Sequence, residues 1–234
     1  MNEDEIKRLE ALRGYDILNS DPENEFDRIT ELVATICDMP ISFISMVDTN
    51  RHWFKSKYGS DICETPLDMS FCKYTIQSDD FYIIEDTHNE EEYKNMEIVT
   101  GTPFVRFYAG YPLIDRKGFT LGTICIIDTK PNKLSEFQKK SIKLLSEDVI
   151  DKMIARKNKI EKEKFEHFFN FSEDLKCIVN FKGEIKKFNP HFINFFKLSK
   201  KKAYRTNILS LINANEIEDV IEHTKGVFKG FNVS

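Results

Sequence analysis

The segment Ile41-Ser42-Phe43-Ile44-Ser45-Met46-Val47-Asp48 constrains the fold more than any other. It is too short to stand as a helix, and it carries apolar side chains at both odd and even positions. A strand of that kind is covered on both faces. The chain must therefore place packing material above and below a central sheet.

The flanking segments supply that material. Ile6, Leu9 and Leu12 follow helical spacing and stop at Gly14, which predicts a short amphipathic helix over 4–13. Ser20-Asp21-Pro22-Glu23 reads as a helix start: Ser20 caps, Glu23 completes a capping box and Pro22 fits the first turn. Phe26, Ile29, Val33 and Ile36 then form a buried face that ends at Met39-Pro40.

After the central strand, Asp48-Thr49-Asn50 turns the chain into a second strand, 52–59, and a loop through Thr65-Pro66 leads to a helix near Ser70–Gln77. Phe81–Asp86 is a further strand, 89–97 a brief helix, and Thr100-Gly101-Thr102-Pro103 a turn. Phe107–Ile114 and Leu121–Asp128 form a hairpin through Asp115-Arg116-Lys117-Gly118. Ser135 and Gln138 make another capping box and open a long helix, apolar at Phe137, Ile142, Leu145, Val149 and Met153. Beyond Ile154 the stretch Arg156–Lys164 is almost wholly charged, so it is expected to leave the core as a linker, solvated or paired with a second chain. Helices, then an antiparallel sheet, then a closing helix make an α+β arrangement.

Composition excludes several classes. No apolar run reaches the 18 to 20 residues that a membrane span needs, and the acidic start Met1-Asn2-Glu3-Asp4-Glu5 lacks the basic and apolar regions of a signal peptide. A cytoplasmic chain without membrane contact is expected. The five cysteines, Cys37, Cys63, Cys72, Cys125 and Cys177, are irregularly spaced with no CxxC pair, which suggests neither a disulfide framework nor a zinc site. Cys37 and Cys125 lie in apolar runs and read as small core residues. Residues 1–133 hold 14 Lys/Arg against 25 Asp/Glu, a net −11, whereas 134–164 and 165–234 are each +3. An acidic leading domain repels phosphates, so no nucleic-acid partner is expected.

Several segments in order carry a resemblance. They are Arg8-Leu9-Glu10-Ala11-Leu12 with Tyr15-Asp16-Ile17-Leu18, Phe26-Asp27-Arg28-Ile29-Thr30, Trp53-Phe54-Lys55-Ser56, Glu64-Thr65-Pro66 and Ser70-Phe71-Cys72. Arg106-Phe107-Tyr108-Ala109-Gly110, Pro112-Leu113 and Leu121-Gly122-Thr123-Ile124-Cys125-Ile126-Ile127-Asp128 continue it. This pattern, over about 6–155, resembles the GAF domain at the N-terminus of many bacterial sensor histidine kinases and cyclic-di-GMP enzymes. The resemblance implies a six-stranded antiparallel sheet with helices behind it and a ligand pocket in front. Carried onto this chain, Trp53, Phe54, Phe71, Arg106 and Tyr108 would surround the pocket mouth, with Ser70 and Cys72 at a helix start. Aromatic walls and one cation suit a small organic ligand.

A second resemblance begins near Phe165. Asp174–Asn180, a turn at Lys182-Gly183, Glu184–Pro190 and the helix His191–Lys197 resemble the opening of a PAS domain. With a helix over Glu216–Phe228, three further strands are expected after Ser234, so the natural protein is expected to be longer. His223 is the single candidate for an axial haem ligand on that helix, and it lies off the face formed by Ile217, Val220, Ile221, Thr224 and Phe228.

The expected organisation is a GAF domain at 1–155, a connecting helix at 134–164 that would serve as a homodimer seam, and a partial PAS domain at 165–234. The expected function is a sensory input module that binds an unknown small ligand and controls an effector such as a histidine kinase. No catalytic residue, metal ligand or cofactor is assigned. The enzymatic alternative is a free methionine-(R)-sulfoxide reductase, which also resembles GAF domains. Cys63 and Cys72 stand nine apart, close to the spacing of two of that family's cysteines, but Val105–Gly110 lacks the nucleophilic Cys. The other alternative is a ligand-free dimerisation module. Bilin attachment would use Cys72, which is followed by Lys73-Tyr74 rather than His. None of the five His lies in a phosphoacceptor box, and no Gly-Gly-Asp-Glu-Phe motif or phosphate loop occurs.

Overall fold

The computed structural model describes residues 2–211. The chain divides between Asn158 and Lys159 into two compact units. The helix expected over Glu216–Phe228, with His223, lies outside the described residues. Among the described residues, no helix is long and apolar enough to cross a membrane.

The first unit opens with α1 (Glu3–Arg13) and α2 (Asn24–Cys37), followed by β1 (Ile41–Val47), β2 (Arg51–Tyr58) and β3 (Glu64–Pro66). A single-turn helix α3 (Cys72–Thr75), β4 (Tyr82–Ile84) and a second single turn α4 (Glu97–Thr100) lead to β5 (Phe107–Ile114) and β6 (Thr120–Asp128). The helix α5 (Glu136–Phe171) closes the unit and continues past it. The six strands run in the order β3-β2-β1-β6-β5-β4, every neighbouring pair antiparallel. β1 thus sits inside the sheet, and all seven of its residues are buried.

Period-two alternation sorts the side chains onto two faces. Phe107, Ala109, Tyr111 and Leu113 of β5 join Ile44, Met46, Trp53, Ile124 and Ile126 against α2 and α5, which contribute Phe26, Ile29, Val33, Ile142, Val149 and Met153. Tyr108 of β5, Phe43 of β1 and Cys125 of β6 face the other way, onto Phe71, Cys72, Ile84, Tyr93, Val99 and Val105. One face is closed by long helices. Among the described residues, the other is roofed by short turns and loops, and a cavity forms there.

A bulge interrupts β2. Ile44 opposes Ser56 and Ser45 opposes Phe54, so Lys55 is the extra residue. The bulge turns Lys55 and Ser56 both towards α2. Ser56 bonds Asp27 Oδ1 at 2.6 Å and Thr30 Oγ1 at 2.7 Å. Lys55, its side chain fully buried, donates to Ser20 Oγ, the Asp21 carbonyl and Glu23 Oε1, and lies over the Phe26 ring.

That network corrects the expected helix start. α2 begins at Asn24 with no side-chain cap. Ser20 donates instead to the Ile17 carbonyl and accepts from Lys55. A buried ammonium is a stronger claimant on the Ser20 and Glu23 oxygens than a helix terminus, because it has lost all its water. The second capping box forms as expected: Ser135 N donates to Gln138 Oε1 and Gln138 N to Ser135 Oγ.

The boundary between the two units falls within the charged stretch expected to act as a linker, while the start of that stretch stays on the first unit. α5 runs unbroken through the charged stretch to Phe171. Arg156 donates through Nε to Glu23 Oε1 at 2.6 Å and through Nη1 to the Asp16 carbonyl at 2.8 Å. Lys157 lies over the Tyr15 ring. Ionic contacts thus hold the helix where the apolar stripe has ended.

In the second unit, β7 (Cys177–Val179) and β8 (Ile185–Phe188) form an antiparallel hairpin, followed by α6 (Pro190–Phe195). Gly183, at φ +75°, supplies the turn. The fully buried Asn189 caps α6 by accepting from Phe192 N, accepts also from Lys176 N, and donates to the carbonyls of Ser172 and Asp174. One side chain therefore ties the helix start to the segment that leads into β7.

Candidate ligand cavity

On the face opposite the long helices lies a cavity of about 400 Å³. That is within the range of sites for small organic molecules. Its apolar wall comes from Ile41, Phe43, Phe54, Ile98, Val105 and Ile127. Phe43 and Phe54 stack across β1 and β2 with ring centroids 4.3 Å apart, and Phe71 packs against Tyr108 and, edge-on, against Tyr93. Hydroxyl groups of Ser60, Thr65, Ser70 and Thr102 punctuate the lining. Among the described residues, that lining contains one carboxylate, Asp61, and no Lys or Arg. The Thr65 hydroxyl is buried without a hydrogen-bond partner.

The floor is polar in a different way. Cys72 Sγ lies 3.9 Å from Cys125 Sγ and accepts from Tyr108 Oη at 3.4 Å and Thr123 Oγ1 at 3.3 Å. Thr75 Oγ1 in turn meets Tyr108 Oη at 2.7 Å. His52 is fully buried nearby, with Nε2 on the Leu67 carbonyl and Nδ1 unpartnered. The hydrogen bond from Cys125, followed by the His52 imidazole, draws the Cys72 thiol well down from the usual cysteine value against the effect of burial. The same contact, with burial, pushes Cys125 well up. Burial and the adjoining sulfur push the Tyr108 phenol up, so it stays a donor.

Of the residues singled out from the sequence, Phe54, Ser70, Phe71, Cys72 and Tyr108 line this cavity. Trp53 does not. It belongs to the helix-side core, since successive strand residues point to opposite faces. Arg106 is also elsewhere. It forks onto Asp86, Nε to Oδ1 and Nη2 to Oδ2 both at 2.8 Å, and borders a separate hollow with His88, Lys94 and Phe104. That guanidinium holds the Asp86 carboxyl below its usual range. Phe43, Ile41 and Ile127 are absent from the sequence-based set, although the alternation of β1 and β6 points to them. Val105, Ile98 and Thr65 come from a loop, the single turn α4 and an edge strand, where periodicity says nothing.

The cysteine pair on which the reductase alternative turns is not assembled. Cys63 is exposed, accepting from Lys57 Nζ at 3.1 Å, while the sulfur beside Cys72 is that of Cys125. Among the described residues, no group of His, Cys, Asp and Glu side chains could hold a metal ion.

Comparison with known proteins places this architecture. A cyclic di-GMP phosphodiesterase of Pseudomonas aeruginosa is 33% identical over 129 residues, which are 55% of this chain and 22% of that protein's length. The matched region is therefore a small part of that relative. Similar solved structures include the GAF domain of an Acinetobacter phosphoenolpyruvate-protein phosphotransferase, at 15% identity and TM-score 0.49, covering 66% of this chain and 95% of that one. A domain of a two-component sensor histidine kinase protein from Sinorhizobium meliloti covers 60% and 97%, at 9% identity and TM-score 0.47. The sequence profile of the GAF domain matches residues 21–151, more than half of the chain. The chain belongs to the GAF domain family.

Proposed function

We propose that this chain is the sensory input part of a larger cytoplasmic signalling protein of bacteria, with a GAF domain at 1–155, a connecting helix at 134–164 and the beginning of a PAS domain at 165–234. The observation that carries this reading is the 400 Å³ cavity on the sheet face that the long helices leave free. Its lining favours a small, mostly apolar molecule that is neutral or weakly cationic, because an anion would meet Asp61 and no Lys or Arg. Ring stacking on Phe43 and Phe54 and hydrogen bonds to the lining hydroxyls would orient it.

Transmission has a physical route in this proposal. Phe54 contacts the cavity and its neighbour Lys55 grips Glu23, whose Oε1 also accepts from Arg156 on α5. A ligand that shifts β2 would bias the position of α5, provided it binds one arrangement more tightly than the other. A homodimer seam along α5 would pass that bias to an effector. A histidine kinase or a cyclic-di-GMP enzyme is the effector class proposed, and the function named for the Pseudomonas relative favours the second.

A neutral, environment-sensitive dye such as Nile red tests the site. Wild-type chain is expected to bind it with a rise in fluorescence, and Thr65→Phe, which puts a ring into the cavity, to weaken binding at least about tenfold, or about 1.4 kcal/mol. Arg106→Ala should leave binding unchanged. Loss of binding in Arg106→Ala with retention in Thr65→Phe would move the site to the hollow around His88 and Lys94.

A further inference from the structure

The floor of the cavity does more than pack. Buried cysteines usually behave as small apolar side chains, and Cys37 shows what that looks like: it sits in the helix-side core, and burial alone pushes its thiol up to about 11. Cys72 is equally buried but differently surrounded. Two hydroxyl donors, Tyr108 and Thr123, point at its sulfur, a second thiol lies 3.9 Å away, and the unpartnered Nδ1 belongs to a neighbouring His52. Donors around sulfur favour the thiolate. Cys72 and Cys125 both line the cavity, which offers an entering molecule a route to the pair.

We propose that Cys72 and Cys125 are an oxidisable dithiol, a modification site at which a hydroperoxide entering the cavity closes a disulfide between α3 and β6. The Cys72 thiolate attacks the terminal oxygen of the peroxide. The O–O bond breaks, the sulfur becomes a sulfenic acid, and the alkoxide leaves and takes up the proton that Cys72 released. The Cys125 thiol then attacks the Cys72 sulfur. The S–O bond breaks, the hydroxyl leaves as water with the Cys125 proton, and the S–S bond forms. Two thiols are oxidised by two electrons in all, and one hydroperoxide is reduced to one alcohol and one water. Closing the gap from 3.9 Å to a bond of about 2.05 Å needs an approach of about 1.9 Å. α3 is a single turn with its C-cap at Ile76, so it is the lighter of the two partners to move. The cavity serves here as an entry route, and no resident ligand is needed.

Cys63 is exposed and would oxidise unaided, so the test uses the full chain carrying Cys63→Ser. Treatment with a small excess of hydrogen peroxide or cumene hydroperoxide is followed by alkylation, intact mass and peptide mapping. The expected product is a Cys72–Cys125 disulfide, with a mass about 2 Da below the reduced chain before alkylation, two alkyl groups fewer than the reduced control after it, and Cys37 and Cys177 alkylated. With Cys125→Ser added, oxidation should stop at a Cys72 sulfenic acid that dimedone traps. With Cys72→Ser added, the remaining Cys125 should react at least about tenfold more slowly. Peroxide that leaves Cys72 and Cys125 alkylatable, or oxidises Cys37 at the same rate, would overturn the proposal. The peptide map of the chain with both cysteines in place decides between these outcomes even where a further variant fails to fold. Nile red binding to the reduced chain is read separately, so failure of the dithiol and failure of the ligand site are distinguishable.

Discussion

Glu23→Ala is expected to cost about 3 kcal/mol of stability in urea unfolding, whereas Lys55→Met should cost less than half as much. The asymmetry follows from burial. The Lys55 side chain is completely buried and Glu23 is 30% exposed. Removing the carboxylate strands an ammonium that keeps only Ser20 Oγ and the Asp21 carbonyl. Removing the ammonium leaves Glu23 with Arg156 and with water, while a methionine stem preserves the contact with Phe26. The double variant should therefore recover much of the loss, a coupling that a double-mutant cycle reads directly. If both single variants cost the same and their effects add, Lys55 and Glu23 act independently.

The same carboxylate has a signature in pH. Burial opposes its ionisation, but hydrogen bonds from Lys55 and Arg156 win and hold its pKa below the ordinary 4.5. Its folded value is depressed, so its contribution is fully present above about pH 4.5 and is lost as pH falls through the folded value. Glu23→Ala should remove that part of the acid limb of the stability profile.

The second large effect is expected at Gly122→Ala, a loss of at least about 3 kcal/mol or failure to accumulate as folded protein. Gly122 lies in β6 between Met46 of β1 and Leu113 of β5. A Cβ there would stand 1.9 Å from the Ser45 carbonyl oxygen and 3.0 Å from Met46 Cα. Both are backbone atoms of the central strand, so no side chain can rotate away. Gly118→Ala is the control. Nothing lies within 4 Å of its Cβ, but φ is +87°, so the expected cost is only about 1–2 kcal/mol of backbone strain. Equal thermal shifts for the two would mean that the sheet yields at Gly122.

These two sites mark the limit of what the sequence reveals. β1, the β5–β6 hairpin, the α2 core face and the Ser135–Gln138 box are legible because each rests on local spacing. β3, three residues long, offers no alternation to read, and its Thr65-Pro66 reads as loop. The Ser20–Glu23 box does not form because its oxygens answer to Lys55, more than thirty residues away, through a bulge that the sequence does not announce. The site follows the same rule. Aromatic composition and family pattern point to Phe54, Phe71 and Tyr108, and strand alternation alone shows that Trp53 and Phe54 do not share a face. Arg106 eludes the sequence because its partner, Asp86, lies at the far end of the long connection between β4 and β5. The contact of Cys72 with Cys125 is likewise a product of topology, since 53 residues separate them.

The central claim is that the cavity is a ligand site, and native mass spectrometry of the chain purified from a bacterial cytoplasm tests it most directly. The expected result is a mass excess of one small molecule per chain that disappears under denaturing conditions and is absent from Thr65→Phe. A native mass equal to the bare chain, unchanged after incubation with cell extract, would contradict the claim and leave the domain as a dimerisation and transmission module.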